Sequence, residues 1–184
     1  NPLLISKDEI ISGGNFHAQP LALASDFLCL ALSELANISE RRLYQLICGN
    51  RGLPDFLTSE PGLNSGYMIV QYAAAAAVSM NKQLCTPASV DSIISSKGQE
   101  DHVSMAANAG IKCNKVADQT EMVLAMEWMT ASRAWHFRKD WTLNAKLLKI
   151  WKEYSVLISF KHEDHIPSQD YPNTISFLRN IPQT

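Results

Sequence analysis

Residues 67–83, YMIVQYAAAAAVSMNKQ, form the most regular stretch of the sequence and decide its fold class. Alanine has the highest helix propensity, and the run Ala73–Ala77 lies in a segment that lacks both glycine and proline. Small side chains let neighbouring helices approach closely, so we expect this helix at the centre of a crowded bundle. The pair Thr86-Pro87 then ends it, because proline cannot continue a helix.

The chain before this stretch predicts two further helices. Pro20 suits the first turn of a helix, and the apolar residues of Leu21–Leu35 cover so many faces that we expect burial nearly all round. Asn37 suits the N-cap of a second helix, with Glu40 three residues later as in a capping box. Gly49 then suits the end of that second helix.

Loops, helices and a hairpin account for the rest of the chain. Residues 50–66 and 88–98 carry turn residues without a sustained period, which predicts ordered loops. At the start, Leu3-Leu4-Ile5 and Ile10-Ile11 flank a polar turn, which predicts a small hairpin. Helices are predicted on both sides of a weak point at Gly110 and in the tail, over Gln99–Ala109, Val116–Phe137, Leu143–Ile158 and Ile175–Asn180.

These elements predict a mainly α fold, a long-helix bundle with a short N-terminal β-hairpin or irregular segment. We expect a single mainly helical region over residues 1–184. Within it, residues 1–17 hold the hairpin and a site loop, residues 18–137 the central helices and residues 138–184 peripheral helices. Because the sequence begins at Asn1-Pro2, with neither an initiator methionine nor a targeting segment, we expect it to be the C-terminal part of a longer protein.

The composition argues against several classes of protein. The 184 residues include 16 basic and 18 acidic side chains, a formal charge of −2, and 46% hydrophobic residues, which suffice for a sizeable core. There is no basic stripe to neutralise phosphates, so nucleic acid is not an expected partner. Polar residues interrupt the apolar stretches before the roughly 20 residues that span a bilayer, so no membrane contact is expected. Four widely spaced cysteines predict free thiols and a cytoplasmic location.

Most familiar chemical motifs are absent from the sequence. It lacks a phosphate-binding glycine loop, a paired-cysteine metal pattern and a Gly-x-Ser-x-Gly nucleophile turn. His162-Glu163-Asp164-His165 carries metal-binding side chains, but its spacing differs from the helical i, i+4 pair of a zinc protease. A solvated turn is the favoured interpretation, and no metal is expected.

Two short segments combine glycine with chemically active side chains. In Gly13-Gly14-Asn15-Phe16-His17 the backbone can approach a ligand closely while an aromatic ring and an imidazole project from a constrained turn. Gln99-Glu100-Asp101-His102 follows Gly98 in the same way. The structural alternatives are a core position for Phe16, buried hydrogen-bonded imidazoles for His17 and His102, and stabilisation of a helix start by Glu100 and Asp101.

Five collinear blocks of sequence carry a family resemblance. They are Gly14–Pro20, Ser39–Arg42, Gly62–Ile69, Ala88–Ser92 and Gly98–Met105. Together, and over roughly residues 1–130, they resemble histidine ammonia-lyase and the other aromatic amino acid lyases. The later stretch Ala134-Trp135-His136-Phe137-Arg138 departs from the Asp-Leu-Arg or Asp-Phe-Arg turn that is usual in this family.

The resemblance implies a mostly helical homotetramer whose active sites combine residues of more than one subunit. It also implies an electrophilic methylidene-imidazolone cofactor (MIO), made autocatalytically from an Ala-Ser-Gly tripeptide. This chain has no such tripeptide, since Ile11 precedes Ser12-Gly13 and Asn64 precedes Ser65-Gly66. The cofactor, a catalytic tyrosine and a carboxylate-binding arginine are therefore expected upstream of this chain.

Within the chain, the resemblance assigns two residues to the active site. It places Phe16 as an aromatic wall near cofactor and substrate, and Glu100 as the acid that faces the substrate side chain. Glu100 either hydrogen-bonds and orients the substrate ring or exchanges protons during the reaction, and we expect Gln99 to fix its orientation. Structural support around the pocket is expected from Asn15, His17, Asn64, Asp101 and His102.

The expected substrate is a small molecule, an amino acid with an aromatic side chain, and L-histidine is favoured. An acid at position 100 fits an imidazole better than a phenyl ring, which offers no hydrogen bond. The expected activity is therefore elimination of ammonia from L-histidine to give urocanate. The alternatives are a tyrosine or phenylalanine ammonia-lyase or aminomutase, and a non-catalytic helical assembly module that retains the lyase scaffold.

Overall fold

A computed structural model describes residues 2–138, 140–158, 160 and 163–181. Two short strands come first, β1 (Leu3–Leu4) and β2 (Ile10–Ile11). The α-helices of the described residues are α1 (Gln19–Ile47), α2 (Met68–Leu84), α3 (Ala106–His136), α4 (Ala145–Ser155) and α5 (Tyr171–Arg179). Single 3₁₀ turns lie at Asn15–His17, Ser96–Gly98 and Pro167–Gln169. The predicted mainly α fold with a short N-terminal hairpin is confirmed.

The hairpin has the predicted strands and turn. β1 and β2 pair in antiparallel orientation, with Leu3 opposite Ile11 and Leu4 opposite Ile10. Asp8 in the connecting turn donates its backbone N–H to the Ser6 hydroxyl at 3.3 Å, a local bond that is typical of serine in turns.

The break predicted at Asn37 is wrong, because α1 continues without interruption from Gln19 to Ile47. Of the two residues expected to form a capping box, Asn37 is exposed within α1, whereas Glu40 and its neighbour Ser39 are buried and bond to other helices. The Ser39 hydroxyl donates to Glu127 Oε2 at 2.6 Å, and Gln71 Nε2 donates to Glu40 Oε1 at 2.7 Å. Tertiary hydrogen bonds thus use the groups that a helix terminus would have used.

The weak point predicted at Gly110 is also wrong. α3 runs through this residue as one helix of 31 residues. A single glycine costs a helix only about 1 kcal/mol relative to alanine, which packing along a long helix offsets. The helix begins at Ala106, whose N–H is accepted by the Ser104 hydroxyl at 3.1 Å, so residues 99–105 precede it and are not helical.

The remaining helices agree with the prediction except at their ends. α2 lies where residues 67–83 place it. α4 is shorter than the predicted segment at both ends, and the Asn144 side chain caps it by accepting the Leu147 N–H at 2.9 Å. α5 begins four residues before the predicted start, since Pro172 fits its first turn.

The chain divides into two compact units. The first comprises residues 1–33 and 81–118, and the second residues 34–80 and 119–184. The core of the first unit contains Cys29, Cys113 and Val116, and its cysteines are free thiols like Cys48 in the second unit. The core of the second unit includes the fully buried Leu43, Leu57, Tyr67, Val123, Met129 and Tyr154. The division into residues 1–17, 18–137 and 138–184 stays a prediction.

α1 leaves much of its apolar surface uncovered, contrary to the burial predicted for Leu21–Leu35. Leu21 is 68% exposed and Phe27 is 70% exposed. The prediction that no apolar stretch is long enough to span a bilayer is wrong. By length and composition, the helical stretch of residues 15–47 is long and apolar enough to cross a membrane. The core helix of a soluble protein passes the same test, so the absence of membrane contact stays a prediction.

Candidate active site

The segment that carries Phe16 is a single 3₁₀ turn immediately before α1. His17 N–H donates to the Gly14 carbonyl at 3.0 Å, and Ala18 N–H donates to the Asn15 carbonyl at 3.1 Å. The Phe16 side chain is 57% exposed, and its ring centroid lies 4.0 Å from that of the half-buried His17. The alternative in which Phe16 belongs to the core is therefore wrong for this chain, and its ring is available to line a pocket.

Glu100 lies in the loop between α2 and α3, six residues before α3 begins. The alternative in which Glu100 and Asp101 stabilise the first turn of a helix is therefore wrong. The side chain of Glu100 is half-buried, and its Oε2 accepts hydrogen bonds from Ser95 Oγ at 2.5 Å and from Ser96 Oγ at 3.4 Å. A hydroxyl donor 2.5 Å from a carboxylate oxygen is a charge-assisted hydrogen bond, which constrains the orientation of the acid.

The neighbours of Glu100 are exposed. Gln99, Asp101 and His102 all have exposed side chains, so the alternative of a buried imidazole at His102 is wrong. In the described residues the side chains that bond to the Glu100 carboxylate on this loop are those of Ser95 and Ser96, rather than the expected Gln99. Val103 N–H donates to the Ser92 hydroxyl at 3.0 Å, which ties the segment after Glu100 to the segment before it.

The start of this loop is fixed to the first turns of α1. Ser89 donates its N–H to Asp26 Oδ2 at 2.8 Å, and its carbonyl accepts Gln19 Nε2 at 2.8 Å. Lys112 of α3 forms an ion pair with Asp26 and donates to the Thr86 carbonyl at 2.5 Å. Because Gln19 follows closely after the Phe16 turn, these bonds connect the segment that carries Phe16 to the loop that carries Glu100.

Asp26 is the charged centre of this anchor. Burial acts to raise the pKa of its carboxyl group, but the hydrogen bonds from Lys112 and Ser89 and from the Ala88 backbone outweigh it. The pKa therefore lies well below its ordinary value, and the carboxylate is ionised throughout the physiological range. The sequence contained a signal for this residue, because Asp26 is a lone acid within an otherwise largely apolar helical segment.

Asn64 belongs to the second unit and has a structural role there. Its Oδ1 accepts the Asp164 N–H at 3.2 Å, while the Asp164 carboxylate accepts the N–H groups of Ser65 and Gly66 at 2.8 Å each. The two backbone hydrogen bonds hold the pKa of Asp164 below its ordinary value. Gly66 has a φ of 55°, and a Cβ there would lie 2.3 Å from the Phe56 carbonyl oxygen, which explains the glycine.

In the stretch His162–His165, whose side chains could bind a metal, Asp164 and His165 instead bond to other parts of the protein. His162 lies outside the described residues, Asp164 bonds to the 65–66 backbone, and His165 Nε2 lies 2.9 Å from Asp170 Oδ2. Within residues 2–138, 140–158, 160 and 163–181, no group of three or more His, Cys, Asp or Glu side chains is arranged to hold a metal ion. Asp164 thus acts as a tether between the tail and an earlier loop.

The sequence of this chain matches a known protein family over most of its length. The family model named "Aromatic amino acid lyase" matches residues 1–155. The chain belongs to the aromatic amino acid lyase family. The lyase family match extends beyond the predicted limit near residue 130 and includes the stretch Ala134–Arg138, whose departure from the usual family turn therefore does not end the similarity.

Individual lyases show the same relationship. Histidine ammonia-lyase of Caldanaerobacter subterraneus subsp. tengcongensis is 58% identical over 141 residues, which cover 76% of this chain and 28% of that protein. The crystal structure of histidine ammonia-lyase from Trypanosoma cruzi superposes with a TM-score of 0.91 at 38% identity and covers 97% of this chain and 36% of that one. The crystal structure of tyrosine aminomutase from Streptomyces globisporus superposes with a TM-score of 0.89 at 30% identity. The match covers 100% of this chain and 38% of that one.

This chain spans about a third of the length of the curated lyases it matches. Members of the aromatic amino acid lyase family generally depend on methylidene-imidazolone. The sequence of this chain contains no Ala-Ser-Gly, and the backbone N–H groups of its Ser65-Gly66 step both donate to Asp164.

Proposed function

We propose that this chain is part of a histidine ammonia-lyase, which eliminates ammonia from L-histidine to give urocanate. The observation that carries the proposal is the 58% identity to a curated histidine ammonia-lyase over 141 residues. The half-buried carboxylate of Glu100 adds a physical reason, because an imidazole N–H can donate to it and a phenyl ring cannot.

The proposed reaction breaks the bond between the α-carbon and the amino nitrogen and removes one proton from the β-carbon. The β-proton is weakly acidic, so the substrate must be activated by an electrophile, which we propose is the methylidene-imidazolone supplied by residues outside this chain. Glu100 would then either hold the substrate ring by a hydrogen bond or exchange a proton with it. Its charge-assisted bond to Ser95 favours the first role, since it restricts the carboxylate to one orientation.

Phe16 contributes shape rather than charge in this proposal. Its exposed ring projects from the turn before α1, and the chain of hydrogen bonds through Gln19 and Ser89 connects that turn to the loop of Glu100. An aromatic wall excludes water from the reacting centre and limits the positions open to the substrate ring. Asn15, His17, Asn64, Asp101 and His102 keep supporting roles in the proposal.

The complete chain gives the direct test. Expressed with its upstream coding sequence, which we expect to contain Ala-Ser-Gly, it should convert L-histidine to urocanate, measured by the absorbance of the product. The 184-residue chain alone should give no urocanate, because the electrophile and the carboxylate clamp are absent from it. Urocanate formation in proportion to the concentration of the 184-residue chain, in a preparation from a host without its own enzyme, would contradict this division of roles.

A second candidate is a tyrosine or phenylalanine aminomutase. It is supported by the tyrosine aminomutase structure, which superposes with a TM-score of 0.89 and covers 100% of this chain. It predicts a β-amino acid product from tyrosine or phenylalanine and no urocanate. A non-catalytic assembly module predicts neither product, and it also predicts that the upstream sequence lacks Ala-Ser-Gly. The same assay on the three amino acids therefore separates all of these functions.

We also propose a cytoplasmic homotetramer as the working form. The exposed apolar side chains of α1, among them Leu21 and Phe27, support it, because a surface of this kind is normally covered by another protein surface. An active site shared between subunits would make this association a requirement of the activity.

Association of the 184-residue chain is accordingly an expected result. In analytical ultracentrifugation at about 10 μM, a concentration at which interfaces of micromolar affinity or better are populated, it should sediment as a dimer or larger. Phe27→Glu should shift the distribution towards the monomer, because it places a charge on the apolar face of α1. Val156→Glu, at an 81% exposed position outside α1, is the control and should leave the distribution unchanged. A monomeric wild-type chain under these conditions argues against the proposal.

A further inference from the structure

The loop that carries Glu100 folds back on itself as a narrow hairpin. Ser92 pairs with Ser104 and Ser95 pairs with Glu100 in antiparallel bridges. Ser95 N–H donates to the Glu100 carbonyl at 3.0 Å, and Glu100 N–H donates to the Ser95 carbonyl at 3.4 Å. Ser95 is therefore fixed directly opposite Glu100 by the backbone, before any side-chain contact is considered.

The tip of this hairpin has an unfavourable backbone. Ser96, Lys97 and Gly98 all have positive φ values, of 52°, 57° and 88°. L-residues rarely adopt this conformation, and two consecutive ones persist only where the surrounding structure determines them. The bonds between Ser95 and Glu100 close the hairpin directly beneath this tip, and within the tip the Gly98 N–H donates to the Ser95 carbonyl at 2.9 Å.

The two carboxylate oxygens of Glu100 differ in their hydrogen bonds. Oε2 accepts from Ser95 Oγ at 2.5 Å, and the exposed Ser96 adds a longer contact of 3.4 Å to the same oxygen. Oε1 accepts no hydrogen bond from the described part of the chain. One oxygen is thus held by the protein, while the other is free for a donor on a ligand.

We propose that Ser95 is a positioning residue for Glu100. Its hydroxyl holds Oε2 and thereby presents Oε1 to the substrate ring, so Ser95 acts on the reaction only through Glu100. This inference rests on the proposed lyase function and deepens it, because it names the group that sets the direction of the acid. Without the hydroxyl, the flexible Glu100 side chain samples several rotamers, and the population that faces the substrate ring falls.

The test uses the complete lyase with histidine as substrate. Ser95→Ala should lower kcat/KM about 10-fold to 100-fold, the range expected when a catalytic group is misplaced by about 1 Å. Ser95→Thr keeps the hydroxyl and suits the extended backbone of residue 95, with φ −132° and ψ 176°, so it should retain activity within about threefold. Ser79→Ala is the matched control and should also stay within about threefold, because it makes the same change on an exposed side chain of α2.

A double-mutant cycle distinguishes positioning from a general structural role. In a Glu100→Ala background, Ser95→Ala should lower kcat/KM further by less than about twofold, since the side chain that Ser95 holds is already gone. A structural role predicts the same loss in both backgrounds, and that result overturns the inference. If Ser95→Ala does not fold, Ser95→Cys keeps the side-chain size with a weak donor and serves in the same cycle.

The outcomes separate this inference from the function on which it rests. A wild-type complete chain that forms no urocanate overturns the proposed function and the inference together. A wild-type chain that forms urocanate, combined with unchanged kcat/KM in Ser95→Ala, overturns the inference alone and leaves the function in place.

Discussion

In the complete enzyme, Glu100→Gln should lower kcat/KM for histidine about 10²-fold to 10⁴-fold, the usual loss when a positioned acid or base is removed. The melting temperature should change little, because Glu100 is half-buried in a loop and its amide analogue keeps an oxygen for the Ser95 hydroxyl. Steady-state kinetics and thermal melting of the same preparations give both values.

Asp118→Asn provides the matched control for this prediction. It makes the same acid-to-amide change on an exposed side chain of α3. Its kcat/KM should remain close to that of the wild type. Near-normal turnover in Glu100→Gln would remove Glu100 from the reaction.

Activity on phenylalanine and tyrosine refines the result. A neutral amide opposes an apolar ring less than a carboxylate does, so Glu100→Gln should lower activity on these substrates less than activity on histidine. An equal loss on all three substrates would indicate a general catalytic role and remove the physical reason for preferring histidine.

The second large effect concerns the Asp26–Lys112 ion pair. Asp26→Ala should lower the free energy of unfolding by about 2–4 kcal/mol, somewhat less than for a fully buried ion pair, because it leaves the half-buried Lys112 charge without its partner. It also leaves the Ser89 N–H, which Asp26 accepts at 2.8 Å, without an acceptor. Urea denaturation at pH 7 measures the change. Asp118→Ala removes an exposed acid from the same unit and should change stability by less than about 0.5 kcal/mol.

A further substitution and a pH series identify the pair as the cause. Adding Lys112→Met to Asp26→Ala should recover part of the loss, since it removes the unpaired charge. The folded-state pKa of Asp26 is lowered, so its stabilisation is complete above the unfolded pKa of about 4 and is lost as the pH falls below that value. The difference between wild type and Asp26→Ala should therefore shrink below about pH 4. If the difference in unfolding free energy between the two proteins stays constant down to pH 2, the charge of Asp26 is not the cause of that difference.

The sequence predicts the positions of helices better than their ends. α2 and the N-terminal hairpin follow from local composition, and the structure confirms them. The false break at Asn37 arose because Asn37 and Glu40 have the side chains and spacing of a capping box. Ser39 and Glu40 instead bond to Glu127 and Gln71, which are distant in the sequence, and no local pattern contains that information.

The candidate site shows the same limit. The resemblance identifies Glu100, but propensity alone places it in a helix, whereas the Ser104 cap starts α3 only at Ala106. Ser95 could not be found by helical spacing, because its relation to Glu100 depends on a hairpin with a left-handed tip. Asp26 was detectable as a charge in an apolar segment, whereas its partners Ser89 and Lys112 required the fold.

The bond from Asp164 to the backbone of residues 65 and 66 bears on how the protein is made. The acceptor Asp164 follows the donor Ser65 by 99 residues in the sequence, so it leaves the ribosome long after the donor. At about 5–20 residues per second, the donors wait roughly 5–20 s during translation. Water must satisfy these N–H groups in the nascent chain until the tail arrives. The loop before α2 is therefore expected to be among the last parts of this chain to gain protection from cellular proteases during synthesis.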